Sequence, residues 1–285
     1  MNYMDLPLVS VVIPCFNQGI YIKDALASLA SCNYMHKEII IVNDGSTDSF
    51  TNDLLEQLQK EGYSVIFQEN MGLGAARNAG ILHSTGKYLL PLDADNKIRN
   101  NYISEAVAHL ENNEDSAVVY GNAQKFGAET GLIQPGSFVL QRLMMGNFID
   151  ACAVIRRSAL DAVGLYDNMK IMGYEDWDLW LRLAFKGYRF HYINDILFDY
   201  RVVTNSMMRS LNADISRQNE IEIYFANKFS DKLDFGFVED RIVYQLKKRP
   251  VSNGYRLFIK NLFPAYFQRL VKENKMYKYL LYDRK

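Results

Sequence analysis

Apolar and polar positions alternate along the first 120 residues in a regular rhythm. Leu8 to Ile13 is a short β-branched run ending at Pro14, which has no N–H to give a ladder. Residues 20–30 carry Ile20, Ala25, Leu26 and Leu29 at helical spacing, and Glu38 to Val42 is an apolar run suited to burial on both faces of a parallel sheet. Thr47 or Asp48 can cap a helix running to about Lys60, with Leu54, Leu55 and Leu58 on one face. A strand is predicted over 63–68, a helix over 73–83, a strand over 87–92, a helix over 101–110 and a strand over 116–120.

That order is β-α-β-α-β-α-β-α-β. It calls for an α/β fold, with a mostly parallel sheet, right-handed crossovers and helices on both faces. After Gly121 the rhythm stops. Residues 121–150 are rich in glycine and polar side chains, 151–156 reads as a strand and 175–185 as a strong helix. Beyond about 207 the pattern turns helical and then basic.

Composition limits the function classes. With 285 residues, 49% hydrophobic and 23% charged, the chain is neither a disordered tail nor a fibrous repeat. No stretch approaches the roughly 20 apolar residues of a membrane span, and no signal peptide is read at Met1 to Leu8. Cys15, Cys32 and Cys152 are too scattered for a metal site and fit reduced thiols of a cytoplasmic protein. The net charge of −1 hides an asymmetry: residues 241–285 hold twelve Lys/Arg, two Asp/Glu and nine Tyr/Phe. Such a segment is either a solvated helical appendage or a surface drawn to anionic lipid headgroups.

Ligands of open α/β sheets bind beyond the carboxyl ends of the strands. Here a polar cluster follows each of the first four: Pro14-Cys15-Phe16-Asn17, Asn43-Asp44-Gly45-Ser46-Thr47-Asp48, Asn70 to Asn78 with Gly72, Gly74 and Arg77, and Asp93-Ala94-Asp95. Singly, these read as turns or solvated carboxylates. Their succession, each behind a hydrophobic strand, points to one crevice. Asp93 and Asp95 offer the hard oxygens that suit Mg²⁺ or Mn²⁺ bridging phosphates. Downstream, Glu175-Asp176-Trp177 opens the strong helix. Acids there complement the helix dipole, and an acid beside indole rings also suits removing a proton from a sugar hydroxyl.

Together, Pro14-x-Phe16-Asn17, Asn43 to Asp48, Asn70-x-Gly72 through Ala76-Arg77-Asn78-x-Gly80, Asp93-x-Asp95 and Glu175-Asp176-Trp177 resemble glycosyltransferase family 2, the inverting enzymes of the GT-A fold. Arg156-Arg157-Ser158 and Gly164 to Asp167 add to the likeness, which covers about residues 8–207. The resemblance implies a GT-A domain over 1–207, with a nucleotide-binding part to about 121 and an acceptor part over 122–207, then a helical basic extension over 208–285. It implies a nucleotide diphosphate sugar as donor, with UDP the usual nucleotide. Pro14, Phe16, Asn17, Asp44, Asn70, Gly74, Arg77 and Asp93 would hold the nucleotide, and Asp95 with Asp93 would hold Mn²⁺ or Mg²⁺. Asp176 would be the general base, with Glu175 and Trp177 shaping the site for a glycan or lipid-linked acceptor. The product expected is a bacterial surface polysaccharide. The location expected is cytoplasmic, with peripheral contact at the inner membrane face or a subunit contact through 241–285.

One departure concerns the metal. The family often carries a His a few residues after a Tyr-Arg pair, and Val203 stands there, after Tyr200-Arg201. Valine cannot coordinate, so water or Thr204 would complete the shell. His36, His83, His109 and His191 read as structural. The alternative is an inactive GT-A-like binder of nucleotide or glycan, favoured by Val203 alone. A nicotinamide oxidoreductase would need Gly-x-Gly-x-x-Gly after the first strand, a sugar nucleotidyltransferase a basic Gly-rich loop there, and neither is present. The basic tail comes without any nucleic-acid reading motif.

Overall fold

A computed structural model describes residues 6–169, 173–203, 220–221, 224–225, 227–232 and 262. The chain forms two compact units, Met1–Thr204 and Asn205–Lys285. The extension expected over 208–285, with its membrane or subunit contact, lies largely outside the described residues, as does Thr204.

Strands β1 (Val9–Cys15), β2 (Lys37–Asp44), β3 (Ser64–Gln68) and β4 (Tyr88–Pro91) pair in parallel in the order β3-β2-β1-β4. Helices α1 (Gly19–Ser31), α2 (Ser49–Lys60) and α3 (Leu73–His83) connect them. Alternation along β1 serves both faces. Val9, Val11 and Ile13 join Ile22 and Leu29 of α1 and Leu55 of α2 in one core, while Val12 points the other way, toward Gly80 of α3. Asp48 caps α2 as expected, accepting from the Thr51 N–H at 2.9 Å.

Gly80 is where α3 lies closest to the sheet. A Cβ there would sit 2.3 Å from Val12 Cγ1. Gly80→Ala therefore forces helix and sheet apart, and should cost about 1–3 kcal/mol of stability. Urea unfolding checks it: the midpoint should drop while the slope stays the same.

Past β4 come β5 (Lys97–Ile98), α4 (Tyr102–Asn112), β6 (Ser116–Gly127), β7 (Gly131–Ile133), α5 (Leu140–Met145), β8 (Val154–Arg156), α6 (Arg157–Val163), α7 (Glu175–Phe185) and β9 (Arg189–Val202). The sheet continues β4-β8-β6-β9-β5, with β7 on β6. β8 runs antiparallel to both β4 and β6, and β6 pairs in parallel with β9. The mostly parallel character expected of the sheet holds for β3-β2-β1-β4 and for β6 with β9, and the antiparallel pairs of β8, β7 and β5 make the complete sheet mixed.

β5, β7, α5 and α6 are absent from the sequence reading, and the two larger differences are β6 and β9. β6 continues seven residues past Tyr120, because Gly121 and Asn122 are buried inside the strand and Gly121 lies under Leu197. β9 has no counterpart in that reading. Its register jumps from Gly121↔Ile193 to Asn122↔Ile196, and this bulge leaves Asn194 and Asp195 out of the ladder.

Two arginines fasten the second half to the first. Arg156 donates to the carbonyls of Leu110 and Asn113 at the end of α4 and of Ser116 at the start of β6. Arg157 donates to the carbonyls of Ile81 and Gly86 and to the Ser84 hydroxyl around the end of α3. Each guanidinium thereby satisfies carbonyls a helix C-terminus leaves open. His109 and His191 stack with ring centroids 3.5 Å apart, packing α4 on β9.

Candidate active site

The loops beyond β1 to β4 are laced together by polar side chains. Asn17 has φ 54°, left-handed backbone that asparagine tolerates. Its amide oxygen accepts from the Thr47 and Asp48 N–H groups at 2.8 and 3.0 Å, tying loop one to loop two. Asp44, at the end of β2, ties loop two to loop three. Its carboxylate accepts from Gln68 Nε2 at 2.7 Å and from the Met71 and Gly72 N–H groups, each at 2.9 Å. Gly45 has φ +66° and a Cβ there would meet the Asn70 nitrogen at 2.5 Å, so no other residue fits this crossing.

Pro14 is buried within β1, whereas Phe16 and Asn70 are exposed along the crevice edge. Gly74, in the first turn of α3, lies beside a recess lined also by Gly72, Ala75, Asp167 and Glu175. A Cβ at Gly74 would come within 3.2 Å of the Asp167 carbonyl oxygen.

Arg77 joins the two halves of the site. It is 1% exposed, and its two Nη groups donate to Asp93 and to Glu175, each at 2.8 Å. Its guanidinium also lies over the Tyr166 ring, 5.4 Å from the centroid. Both terminal nitrogens are engaged inside the protein, so Arg77 underlies the crevice rather than lining it, where the resemblance had put it along the nucleotide. Arg77 Nε and Tyr166 Oη are buried without a partner among the described residues, a pattern that ordered water resolves.

Asp93 and Asp95 follow β4, and Arg201 of β9 holds their loop. The Arg201 backbone N–H donates to Asn96 Oδ1 at 2.9 Å, and its Nε donates to the Asp95 carbonyl at 3.0 Å. The guanidinium is sandwiched between Tyr21 and Phe126, 4.5 and 4.4 Å from their ring centroids.

α7 brings the second acidic group. Glu175 is 4% exposed, bound to Arg77 and to the Gly173 N–H. Asp176 is half-buried, and its Oδ2 accepts from Asn147 Nδ2 at 2.8 Å. The tryptophans sit behind it: Trp177 Nε1 donates to the Leu143 carbonyl at 2.6 Å and Trp180 Nε1 to that of Ile149 at 3.1 Å. Trp177 is 6% exposed, so it anchors α5 instead of presenting a ring to an acceptor. Asp178, fully buried, pairs with Arg182 at 2.7 Å, and Arg182 also bonds the carbonyls of Val163, Gly164 and Leu165.

These carboxylates share one electrostatic environment. The Tyr200 phenol on β9 is pushed up by burial and then by Asp150, Asp93, Asp95 and Asp176 in turn. One side chain feels all four acids. Burial, then Asp93, raises Asp95 to about 7, and burial, then Asp93, raises Asp150 to about 6. Burial likewise pushes the Asp176 carboxyl up, with Glu175 and Asp150 adding to the shift and Arg77 opposing it. Asp150, Tyr200 and Asn147 were not singled out as site residues, because none of them sits in a site motif.

The crowding has a stability consequence. A carboxyl with a raised folded-state value disfavours the folded state once pH exceeds its ordinary unfolded value near 4. Asp95→Asn should therefore raise the melting temperature of the ligand-free chain at pH 8 by about 2–4 °C, and the gain should shrink to less than half at pH 5, on its way to vanishing below about pH 4. Thermal scans of both chains at the two pH values measure it.

Asp93 and Asp95 offer carboxylate oxygens of the kind that suits Mg²⁺ or Mn²⁺. Among the described residues, no three His, Cys, Asp or Glu are placed to hold a metal ion together. Phosphate oxygens and water would have to supply the remaining positions.

The sequence profile of "Glycosyl transferase family 2" matches residues 10–164. TuaG of Bacillus subtilis (strain 168), a glycosyltransferase named for teichuronic acid biosynthesis, is 30% identical over 210 residues, covering 70% of this chain and 81% of that one. Glycosyltransferase GlyG of Streptococcus pneumoniae serotype 4 is 27% identical over 267 residues, 84% and 87% of the respective chains. Among solved structures, S. aureus TarS 1–349 in complex with UDP-GlcNAc superposes with a TM-score of 0.61 at 21% identity, covering 82% of this chain and 78% of that one. The mannosyltransferase PcManGT from Pyrobaculum calidifontis, in complex with GDP-Man and Mn²⁺, gives 0.60 at 15% identity over 99% and 89%. At those identities the structures speak for the fold, and the profile and TuaG for descent: the chain belongs to glycosyl transferase family 2.

Proposed function

We propose that the chain is an inverting glycosyltransferase that moves a sugar from a UDP-sugar to a hydroxyl of a glycan or lipid-linked acceptor, in cell-surface polysaccharide synthesis. The observation that carries this is the Arg77 bridge. It binds Asp93 on one side and Glu175, neighbour of Asp176, on the other, each at 2.8 Å. That supports a reading in which a candidate metal-binding pair and a candidate base face one crevice although 81 positions separate Asp95 from Asp176.

In this reading Phe16 and Asn70 flank the nucleobase from the exposed rim. Asp44 and Asn17 act mainly by holding the loops in place, and one lone pair of the Asp44 carboxylate is left for a base N–H. Asp95 and Asp93 would hold Mn²⁺ or Mg²⁺, which when bound neutralises charge on the departing diphosphate. Asp176 takes the proton from the acceptor hydroxyl as its oxygen attacks the anomeric carbon opposite the diphosphate. The C–O bond to the acceptor forms as the bond to phosphate oxygen breaks, so one displacement inverts the anomeric configuration. Glu175 acts through Arg77, and Trp177 through the segment it anchors.

UDP as the nucleotide is supported by the fold shared with TarS, which binds UDP-GlcNAc, and the surface-polymer setting by the likeness to TuaG. The fold shared with PcManGT, seen with Mn²⁺, supports the metal. Work at the cytoplasmic face of a membrane, with residues 241–285 as the peripheral contact, belongs to the same reading. No helix among the described residues is long and apolar enough to cross a membrane. The test is nucleoside diphosphate release from UDP-GlcNAc, UDP-glucose, UDP-galactose and GDP-mannose, with and without Mn²⁺. Mn²⁺-stimulated release of UDP is expected. Tight UDP binding with no release from any donor would make the chain a binder.

A further inference from the structure

Asn147 lies outside every motif of the sequence, yet its side chain touches the proposed base directly. Its Nδ2 donates to Asp176 Oδ2 at 2.8 Å, and its Oδ1 accepts from the Ile149 N–H at 3.2 Å. The second bond fixes which end of the amide faces the carboxylate, since a flipped amide would lose both contacts. The segment carrying Asn147 is itself fastened to α7 on either side. Trp177 Nε1 grips the Leu143 carbonyl and Trp180 Nε1 that of Ile149. Three bonds thus run between one helix and one stretch of seven residues, and Asn147–Asp176 is the middle one.

The middle bond differs from its neighbours in exposure. Trp177 and Trp180 are buried at 6% and 0%, while Asn147 is exposed at the open side of the crevice. The other carboxylate oxygen, Oδ1, accepts, among the described residues, only from the Trp177 N–H at 2.7 Å. The two bonds fix the plane of the carboxylate, so that the remaining lone pairs are presented in a set direction.

We propose that Asn147 is a positioning residue for this transferase: its amide orients the Asp176 carboxylate toward the incoming hydroxyl and favours its ionised form. The inference rests on the reading of Asp176 as the base. A hydrogen bond donated to a carboxylate stabilises the charged form and lowers its pKa. That opposes the burial and the acids around Asp176. The charged and titratable groups facing it are Glu175 and Tyr174 on or beside its own helix, Arg77 of α3, Asp150 before β8, Tyr166 after α6 and Tyr200 of β9. Asn147 is the only neutral side chain among the described residues recorded as donating to it.

The experiment is a carboxyl NMR titration of the full chain labelled at the aspartate side-chain carbon, with the Asp176 signal assigned as the one lost in Asp176→Asn. Asn147→Ala removes the donor, and the Asp176 midpoint should move up by about half a pH unit or more. Asn147→Asp, of the same shape but facing a carboxylate with a carboxylate, should move it further. In parallel, kcat for UDP release from the best donor in the panel should fall about 10- to 100-fold. Affinity for UDP with Mn²⁺, measured by calorimetry, should stay within twofold, because Asn147 touches no donor-side residue. A midpoint unmoved in both variants overturns the positioning role while leaving the base assignment intact. Parent-like turnover by Asp176→Asn overturns the base assignment, and the positioning role with it. A purely structural Asn147 would lower the melting temperature and UDP affinity together, with the titration unchanged.

Discussion

Asp176→Asn should lower kcat by about 10²- to 10⁴-fold, the range a positioned general base contributes, while UDP affinity stays close to that of the parent. The amide keeps the shape and, with its single acceptor oxygen, one of the two bonds that the carboxylate accepts from Asn147 and from the Trp177 N–H. What it loses is the capacity to take a proton. Because the Asp176 carboxyl is raised by burial and then by Glu175, the parent should also lose turnover as pH falls through a value above the ordinary carboxylate range. The sign follows from the role, since a base works ionised and acid removes the ionised form. Steady-state rates between pH 5 and 9 with a saturating donor, alongside calorimetry with UDP, measure both parts. Turnover of the variant within tenfold of the parent would remove Asp176 from the chemistry.

Arg77→Met should be the most destabilising single change at the site. The guanidinium is 2% exposed and Glu175 is 5% exposed at the side chain, with only the Gly173 N–H as its other recorded partner. Removing the cation leaves a buried carboxylate without its counter-charge, at a cost of about 3–5 kcal/mol. Asp93, 31% exposed, would recover part of its loss from water. The variant should therefore unfold at markedly lower denaturant. A double change, Arg77→Met with Glu175→Gln, should recover more than half of the deficit, because the stranded charge is gone. Additive losses in the double variant would show that the ion pair is not the cause.

The first half of the fold was legible because it is built from whole, locally consistent units. β1, α2, α3 and β4 each carry their own period, cap or punctuation, and their loops carry the chemistry. α7 was equally plain, for the same reason. What escaped was non-local. β9 owes its pairing to β6, and its bulge leaves Asn194 and Asp195 out of the ladder. The polar end of β6 looks like loop until Leu197 is placed over Gly121. Site residues show the same division. Asp93, Asp95 and Asp176 sit in motifs, whereas Asn147, Asp150 and Tyr200 reach the crevice only through tertiary packing. Arg77 and Trp177 were visible as residues but not in orientation. Nothing in a linear motif tells a guanidinium facing a ligand from one facing two carboxylates.

The parallel pairing of β6 with β9 also bears on how the chain is made. Synthesis runs from the N-terminus, so the 127 residues through β6 emerge well before Val202 at the end of β9. In that interval one long edge of the sheet has no strand beside it, and unpaired edges are where nascent chains join wrongly. The same delay postpones the arrival of Tyr200 and Arg201, so the loop of Asp93 and Asp95 acquires its clamp last. A ribosome-bound fragment ending near residue 188 would carry nearly every motif of the family on an unfinished crevice.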